Sequence, residues 1–266
     1  MIAAPSDSAL VLSWGGHATS TWEDFQADFR ELPEARRTDA LFLGYPSRTH
    51  TVAFCAAALR KFLTDLLENP AELILNPSMP PTARHRPTAF RYEKMILCAH
   101  SMGAVIVRRA IIDLDGMKKL GRSGAPTIRM LLFAPAHKGS NVALMAISGF
   151  GLDWIPGATL LTNILRVRFR SLDDLVKGSD TLRQLEEDSR KMRIRRSRRK
   201  GETPQKSDRG YFRASVLHAA DDRVVEQESF DNDPPFIPVM NRDHRNICKP
   251  GAFYRQPIDE LLQVLL

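Results

Sequence analysis

The chain has 266 residues, of which 43% are hydrophobic and 26% charged, enough apolar residues for one large buried core. It lacks the run of about 18 apolar residues that a membrane-spanning helix needs, and its first residues lack the basic and apolar regions of a signal peptide, so we expect a single cytoplasmic domain over residues 1–266. The net charge of +7 arises in residues 190–200, where eight side chains are Lys or Arg; without them the chain is nearly neutral.

Strand-like apolar runs alternate with helix-like patterns, which predicts a mainly parallel α/β sheet of about six strands with helices on both faces. The predicted strands are Ala9–Trp14, Asp39–Gly44, Lys94–Cys98, Arg129–Phe133, Tyr211–Leu217 and Phe236–Met240. The predicted helices are Trp22–Arg30, Val52–Leu67, Ala104–Leu114 and Pro257–Leu266. A proline-bearing stretch over about 70–91 is expected to be irregular and to cross an edge of the sheet.

The cysteines and histidines do not form a recognisable metal or disulfide pattern. Cys55, Cys98 and Cys248 are widely spaced and mostly in apolar surroundings, which favours reduced, buried thiols. The histidines are scattered, without the spacing that places two ligands on one helical face. We therefore expect no metal and no other cofactor.

Residues 99–103, Ala-His-Ser-Met-Gly, lie between the strand Lys94–Cys98 and the helix Ala104–Leu114. A serine on such a tight strand-to-helix turn exposes its hydroxyl above the sheet, and the N–H of the next residue points to the same space. This context predicts Ser101 as a nucleophile and the Met102 N–H as an oxyanion donor. The alternative is an ordinary serine at a helix N-terminus.

The pentapeptide resembles the Ala-x-Ser-x-Gly turn of some small lipases and esterases of the α/β-hydrolase family, in which the acid and then the histidine follow the serine in the chain. Leu217–Val225 resembles the family's strand-end Asp-x-Val-Val turn, which implies Asp222 as the triad acid, with Asp221 as the alternative. Asp243–Pro250 resembles the Asp-His-x-x-Ile-Cys-Lys-Pro end of inositol-deacylase-like serine esterases, which implies His244 as the base.

Two further segments carry the resemblance. Ser13–Trp22 is similar to the His-Gly loop of lipase-like members, and this implies the Gly16 N–H as a second oxyanion donor. Trp14 stands where that motif has histidine, and a simple Gly-Gly turn is the alternative. Ala134–Ser140 resembles the family's Pro-His-x-Gly-Ser segment, which implies that His137 lines the pocket or orders the loop.

The resemblance implies a serine esterase, lipase-like or inositol-deacylase-like, that cleaves small-molecule or lipid esters through an acyl-enzyme. It also implies a trimmed hydrolase sheet without the usual first two strands, and a cap or lid over about 140–210, where an ordinary packed helix is the alternative. Thioesterase, acyltransferase or amidase chemistry would use the same site. A non-catalytic protein of the same fold, whose basic segment 190–200 contacts anionic lipid or nucleic acid, is a further alternative. We do not expect nucleic-acid binding, and favour a solvated, disordered segment.

Overall fold

The computed structural model describes residues 8–13, 22–46, 49–70, 90–120, 125–141, 144–145, 170–200, 213–231 and 233–265. Within these ranges, six strands form one sheet in the spatial order β2-β1-β3-β4-β5-β6, and every neighbouring pair is parallel. The strands are β1 (Ser8–Ser13), β2 (Thr38–Leu43), β3 (Lys94–His100), β4 (Thr127–Phe133), β5 (Ala214–Ala219) and β6 (Ile237–Val239). The predicted mainly parallel α/β sheet is confirmed.

The helices form two groups that flank this sheet. They are α1 (Glu23–Arg30), α2 (Val52–Glu68), α3 (Met102–Gly116), α4 (Asp180–Lys200) and α5 (Gln256–Leu265), in addition to a 3₁₀ helix at Pro33–Arg37 and a short helix at Arg170–Asp173. Helix α3 contacts α2 and α4, whereas α1 contacts α5. Because helices cover both faces of the sheet, its central strand β3 is apolar without interruption, and Met95–Ala99 are fully buried.

The carboxyl ends of the central strands meet at one edge of the sheet. Ser13 at the end of β1 is in register with Ala99 in β3, and His100 is in register with Phe133 at the end of β4. Trp22 packs edge-on against Phe133, with 5.9 Å between ring centroids, an arrangement that aromatic pairs favour. Trp22, the residue just before α1, therefore packs against the end of β4 at this edge.

Several element boundaries differ from the predicted ones. β3 continues through His100, and α3 begins at Met102 rather than Ala104, so one residue alone separates strand from helix. β5 begins at Ala214 rather than Tyr211, and Tyr211 lies outside the described residues. The expectation of a disordered segment at 190–200 is wrong, since these residues are the last turns of α4.

The predicted cap over 140–210 lies largely outside the described residues, because 142–143, 146–169 and 201–212 are not among them. The proline-bearing stretch lies outside them over residues 71–89. In the described part of the chain, no helix combines the length and the apolar character needed to cross a membrane. Cys55, Cys98 and Cys248 are buried free thiols.

Candidate active site

Ser101 occupies the one-residue turn between β3 and α3, and its backbone is strained. Its φ of +54° and ψ of −122° lie in a region that L-residues rarely adopt, at a cost of order 1–3 kcal/mol. Three backbone contacts hold this conformation. The Ser101 N–H donates to the Phe133 carbonyl over 2.9 Å, and the Ser101 carbonyl accepts the N–H groups of Ala104 at 3.1 Å and Ala136 at 3.3 Å. The flanking residues Ala99 and Gly103 are both small and buried.

The structure brings Ser101, His244 and Asp222 together, although 143 residues separate the serine from the histidine. Nε2 of His244 lies 2.9 Å from Oγ of Ser101, and Nδ1 lies 2.9 Å from Oδ2 of Asp222. With the ring hydrogen on Nδ1, the imidazole donates to the carboxylate and accepts the serine hydroxyl hydrogen. The side chains of His244 and Asp222 are 7% and 0% exposed, so this chain of hydrogen bonds is shielded from water.

The environment of Asp222 keeps its carboxyl group ionised. Its second oxygen, Oδ1, accepts the N–H groups of Val224 at 2.7 Å and Val225 at 3.2 Å. Burial raises the pKa of Asp222, but hydrogen bonds from His244 and these two N–H groups outweigh burial and leave the pKa below its ordinary value. Asp221, the alternative acid, is exposed.

A compact turn carries His244. Oδ1 of Asp243 accepts the N–H groups of Arg245 at 2.9 Å and Asn246 at 3.0 Å, which is the usual way that an aspartate stabilises a turn. The Tyr254 hydroxyl then donates to the Ile247 carbonyl over 2.6 Å, and Ile247 is fully buried. The predicted base therefore lies on a turn that packs against the core.

The structure describes one of the two predicted oxyanion donors, Met102. Met102 is the first residue of α3, so its N–H has no partner within the helix and lies at the positive end of the helix dipole. Gly16 lies outside the described residues. Its segment follows Ser13, which pairs with Ala99 two residues before the nucleophile.

His137 is buried away from solvent, with 2% exposure. Its Nε2 lies 3.3 Å from the Glu228 carbonyl, and its ring contacts the Phe230 ring with 4.9 Å between centroids and planes inclined by 50°. Burial lowers its pKa well below the ordinary value, so the ring is neutral. These contacts fit the loop-ordering role. Within the described ranges, no three His, Cys, Asp or Glu side chains gather as metal ligands would.

Two histidines near the site have no role in the sequence-based prediction. His100, immediately before the nucleophile, places its Nε2 2.6 Å from the His244 carbonyl. His218, at the end of β5, is fully buried and meets the Phe236 ring edge-on. Burial and the neighbouring His244 lower the pKa of His100 to about 3, and burial lowers that of His218 to about 4. The position of His100 within the Ala-His-Ser-Met-Gly segment was the available sequence signal.

Comparison with known proteins gives matches in fold but not in sequence. No family model matches the chain, and no curated protein matches it. A type II thioesterase from the yersiniabactin NRPS/PKS biosynthetic pathway is 14% identical with a TM-score of 0.51, over 98% of this chain and 92% of that chain. An α/β-hydrolase enzyme from the metagenome of sediments from the lagoon of Mar Chica, Morocco, is 11% identical with a TM-score of 0.52, over 97% and 92% of the two chains.

A third solved structure, the monoacylglycerol lipase of Paleococcus ferrophilus, is 12% identical with a TM-score of 0.51, over 98% of this chain and 96% of that chain. At such identities the likeness concerns the fold, and it extends over almost the whole length of each chain. The chain therefore has the α/β-hydrolase fold.

Proposed function

We propose that the protein is a serine hydrolase that cleaves carboxylic esters, with Ser101 as nucleophile, His244 as base and Asp222 as the orienting acid. The observation that carries this proposal is the chain of two 2.9 Å contacts that links Ser101 to His244 and His244 to Asp222. Ser101 lies on a strained strand-to-helix turn, and this geometry exposes a nucleophilic serine. The fold shared with solved thioesterase and lipase structures supports hydrolase chemistry.

In the first half of the proposed reaction, Oγ of Ser101 bonds to the ester carbonyl carbon while its proton passes to Nε2 of His244. Asp222 stabilises the imidazolium that forms, and the N–H groups of Met102 and Gly16 hold the oxyanion. The tetrahedral intermediate then releases the alcohol, which takes the proton from His244. Water repeats these steps on the acyl-enzyme and releases the carboxylic acid.

The substrate class is proposed from the lipase-like resemblance as a small-molecule or lipid ester, in a single domain with a cap over 140–210 and a cytoplasmic location. A thioesterase or acyltransferase would use the same triad, and a type II thioesterase shares the fold. Esters, thioesters and amides that carry the same acyl chain distinguish these activities, since the acyl-enzyme is common and only the leaving group differs. The largest kcat/KM in such a panel identifies the reaction.

The first test is labelling by a fluorophosphonate, which modifies an activated serine without a known substrate. Ser101→Ala is expected to abolish labelling and to lower kcat by about 10³- to 10⁶-fold, with the fold retained. Ser179→Ala is the matched control, because Ser179 caps α4 by accepting the Leu182 N–H and lies outside the proposed triad. Labelling that persists in Ser101→Ala would contradict the assignment.

We further propose that the basic end of α4 contacts anionic membranes. Arg190 and Arg195 are exposed, whereas Arg193 is paired with Asp231 over 2.8 Å. Met192, on the apolar face of α4, is buried, whereas Arg190 and Arg195 lie on the side of the helix that faces solvent.

Vesicles with and without phosphatidylserine test the membrane contact. Replacing the four arginines Arg195, Arg196, Arg198 and Arg199 by Gln is expected to weaken vesicle binding by about 1 kcal/mol per charge. Hydrolysis of soluble esters should change little. Unchanged binding to anionic vesicles would show that the segment is a solvated surface only.

A further inference from the structure

His100 connects the nucleophile's strand to the turn that carries the proposed base. It is the last residue of β3, and its Nε2 lies 2.6 Å from the main-chain carbonyl of His244. A carbonyl oxygen can only accept, so the His100 ring must carry its hydrogen on Nε2 and donate it. The two rings also lie against each other, with 4.8 Å between centroids and planes inclined by 49°.

His244 is consequently held at three points. Ser101 and Asp222 contact the two ring nitrogens, each at 2.9 Å, and these contacts set the plane of the ring. His100 contacts the main-chain carbonyl of His244. This contact fixes the position of the backbone from which the His244 side chain extends. Because residues 100 and 101 are consecutive, one short segment fixes both the nucleophile and the backbone of its base.

The His100 ring is also kept uncharged. Burial and the nearby His244 lower its pKa to about 3, and Lys249 acts in the same direction, whereas Asp222 and the bond to the His244 carbonyl act in the opposite one. A neutral neighbour suits the reaction, because a second positive charge beside His244 would oppose formation of the imidazolium during attack.

We propose that His100 is a positioning residue of this site: its Nε2–H donates to the His244 carbonyl and so places the imidazole where it meets Ser101 and Asp222 together. The inference rests on the proposed function. It goes beyond that function because the triad does not require a donor at this position, and because the residue acts through His244 without touching the substrate.

Three substitutions distinguish the effect of losing the hydrogen-bond donor from the effect of losing the volume of the ring. His100→Gln carries an amide nitrogen close to the place of the ring Nε2, His100→Asn carries the same amide one carbon short, and His100→Leu has no donor. We expect His100→Leu and His100→Asn to lower kcat and the second-order rate constant of fluorophosphonate labelling by about 10- to 100-fold, because a small misplacement of a reacting group has an effect of this size. KM should remain unchanged, and Gln should recover most of the loss.

Lys94→Met is the matched control. Lys94 is the first residue of β3, and its Nζ donates to the Leu265 carbonyl over 2.6 Å, so the variant removes a comparable bond at the far end of the same strand. Its labelling rate should equal that of the unmodified protein, even where its thermal stability falls.

The outcomes are separable. Absence of labelling in the unmodified protein would refute the proposed function itself, before any variant is compared. Given labelling, a normal rate in His100→Leu overturns the positioning role, and so does a Gln variant no better than Asn, because the amide donor would then have no effect. If the Leu variant does not fold, the comparison of Gln with Asn decides, since both are polar and differ in reach.

Discussion

Two adjacent carboxylates, Asp221 and Asp222, differ entirely in their surroundings. Asp222 has no exposed side-chain surface, accepts two backbone N–H groups through Oδ1 and faces His244 through Oδ2. The Gln227 amide supports the same turn by donating to the carbonyls of Ala219 and Asp222, at 3.0 and 3.2 Å. The turn thus orients one carboxylate inwards and leaves the other in solvent.

This difference predicts unequal effects of two matched substitutions. Asp222→Asn is expected to lower kcat by up to about 10⁴-fold, because an amide at this position favours the imidazole tautomer with its hydrogen on Nε2. Asp221→Asn, one residue away and exposed, should cost far less. Steady-state kinetics of the two variants make the comparison. A larger loss at Asp221 would show that the acid is misassigned, and small losses at both would place the acid elsewhere.

At the scale of elements, a buried ion pair joins α3 to the segment before β6. Arg108 of α3 pairs with Asp233, and their side chains are 3% and 2% exposed. Oδ1 of Asp233 also accepts the N–H of Ala214, the first residue of β5, over 3.1 Å. The Arg108 guanidinium lies 4.3 Å from the centre of the Phe230 ring. Through Asp233, helix α3 is therefore linked to the start of β5.

Removing one member of this pair should strongly destabilise the protein. Asp233→Ala leaves the Arg108 charge buried without its partner, for which about 3–5 kcal/mol is typical. Asp65→Ala is the control, because the Lys61–Asp65 pair is 77% and 53% exposed and such surface pairs contribute at most about 1 kcal/mol. Urea unfolding of both variants measures the free energies. Similar small losses would mean that water reaches the Arg108 side chain.

Helix α4 explains why a charged sequence can still be ordered. Leu182, Leu185 and Met192 are buried at spacings of three and seven residues, which place them on one face of the helix. Charged residues such as Arg183, Glu187 and Arg190 lie on the other faces and are exposed, whereas Arg193 pairs with Asp231. Local charge density therefore suggested disorder, while the apolar stripe and its contact with α3 favour a helix.

For the molecule as a whole, burial of neutral histidines determines the response of stability to acid. His100, His137 and His218 all have pKa values below the ordinary one. In the unfolded chain each binds a proton below about pH 6.5, whereas in the native state each stays neutral. The unfolded state then binds more protons, so the free energy of unfolding decreases as the pH falls.

The expected decrease is at most about 1.4 kcal/mol per histidine for each pH unit below 6.5. Urea unfolding at pH 7.5, 6.5 and 5.5 measures it, above the range in which most carboxylates titrate. His218→Leu should reduce the slope by the share of one histidine, since both of its ring nitrogens are buried and have no hydrogen-bond partner among the residues that the structure describes. An unchanged slope in that variant would show that His218 is protonated in the native protein.

The sequence by itself determined the chain order of the six strands, the helices α1, α2, α3 and α5, and the turn at Ser101. These are properties of short segments: an apolar run such as Lys94–Cys98, followed by a small-Ser-small turn and an apolar helix, specifies its local structure wherever it occurs. Asp222 and His244 could be predicted as triad members because each lies in a short motif of its own.

Only the tertiary structure decided how these segments meet. The contact of His100 with the His244 carbonyl spans 144 residues, and the Arg108–Asp233 pair spans 125, so no local pattern contains either. The pairing of parallel strands brings such distant residues to one edge of the sheet, and burial there fixes which nitrogens and oxygens must find partners. The sequence thus predicts the candidate reacting groups, while packing places the groups that surround them.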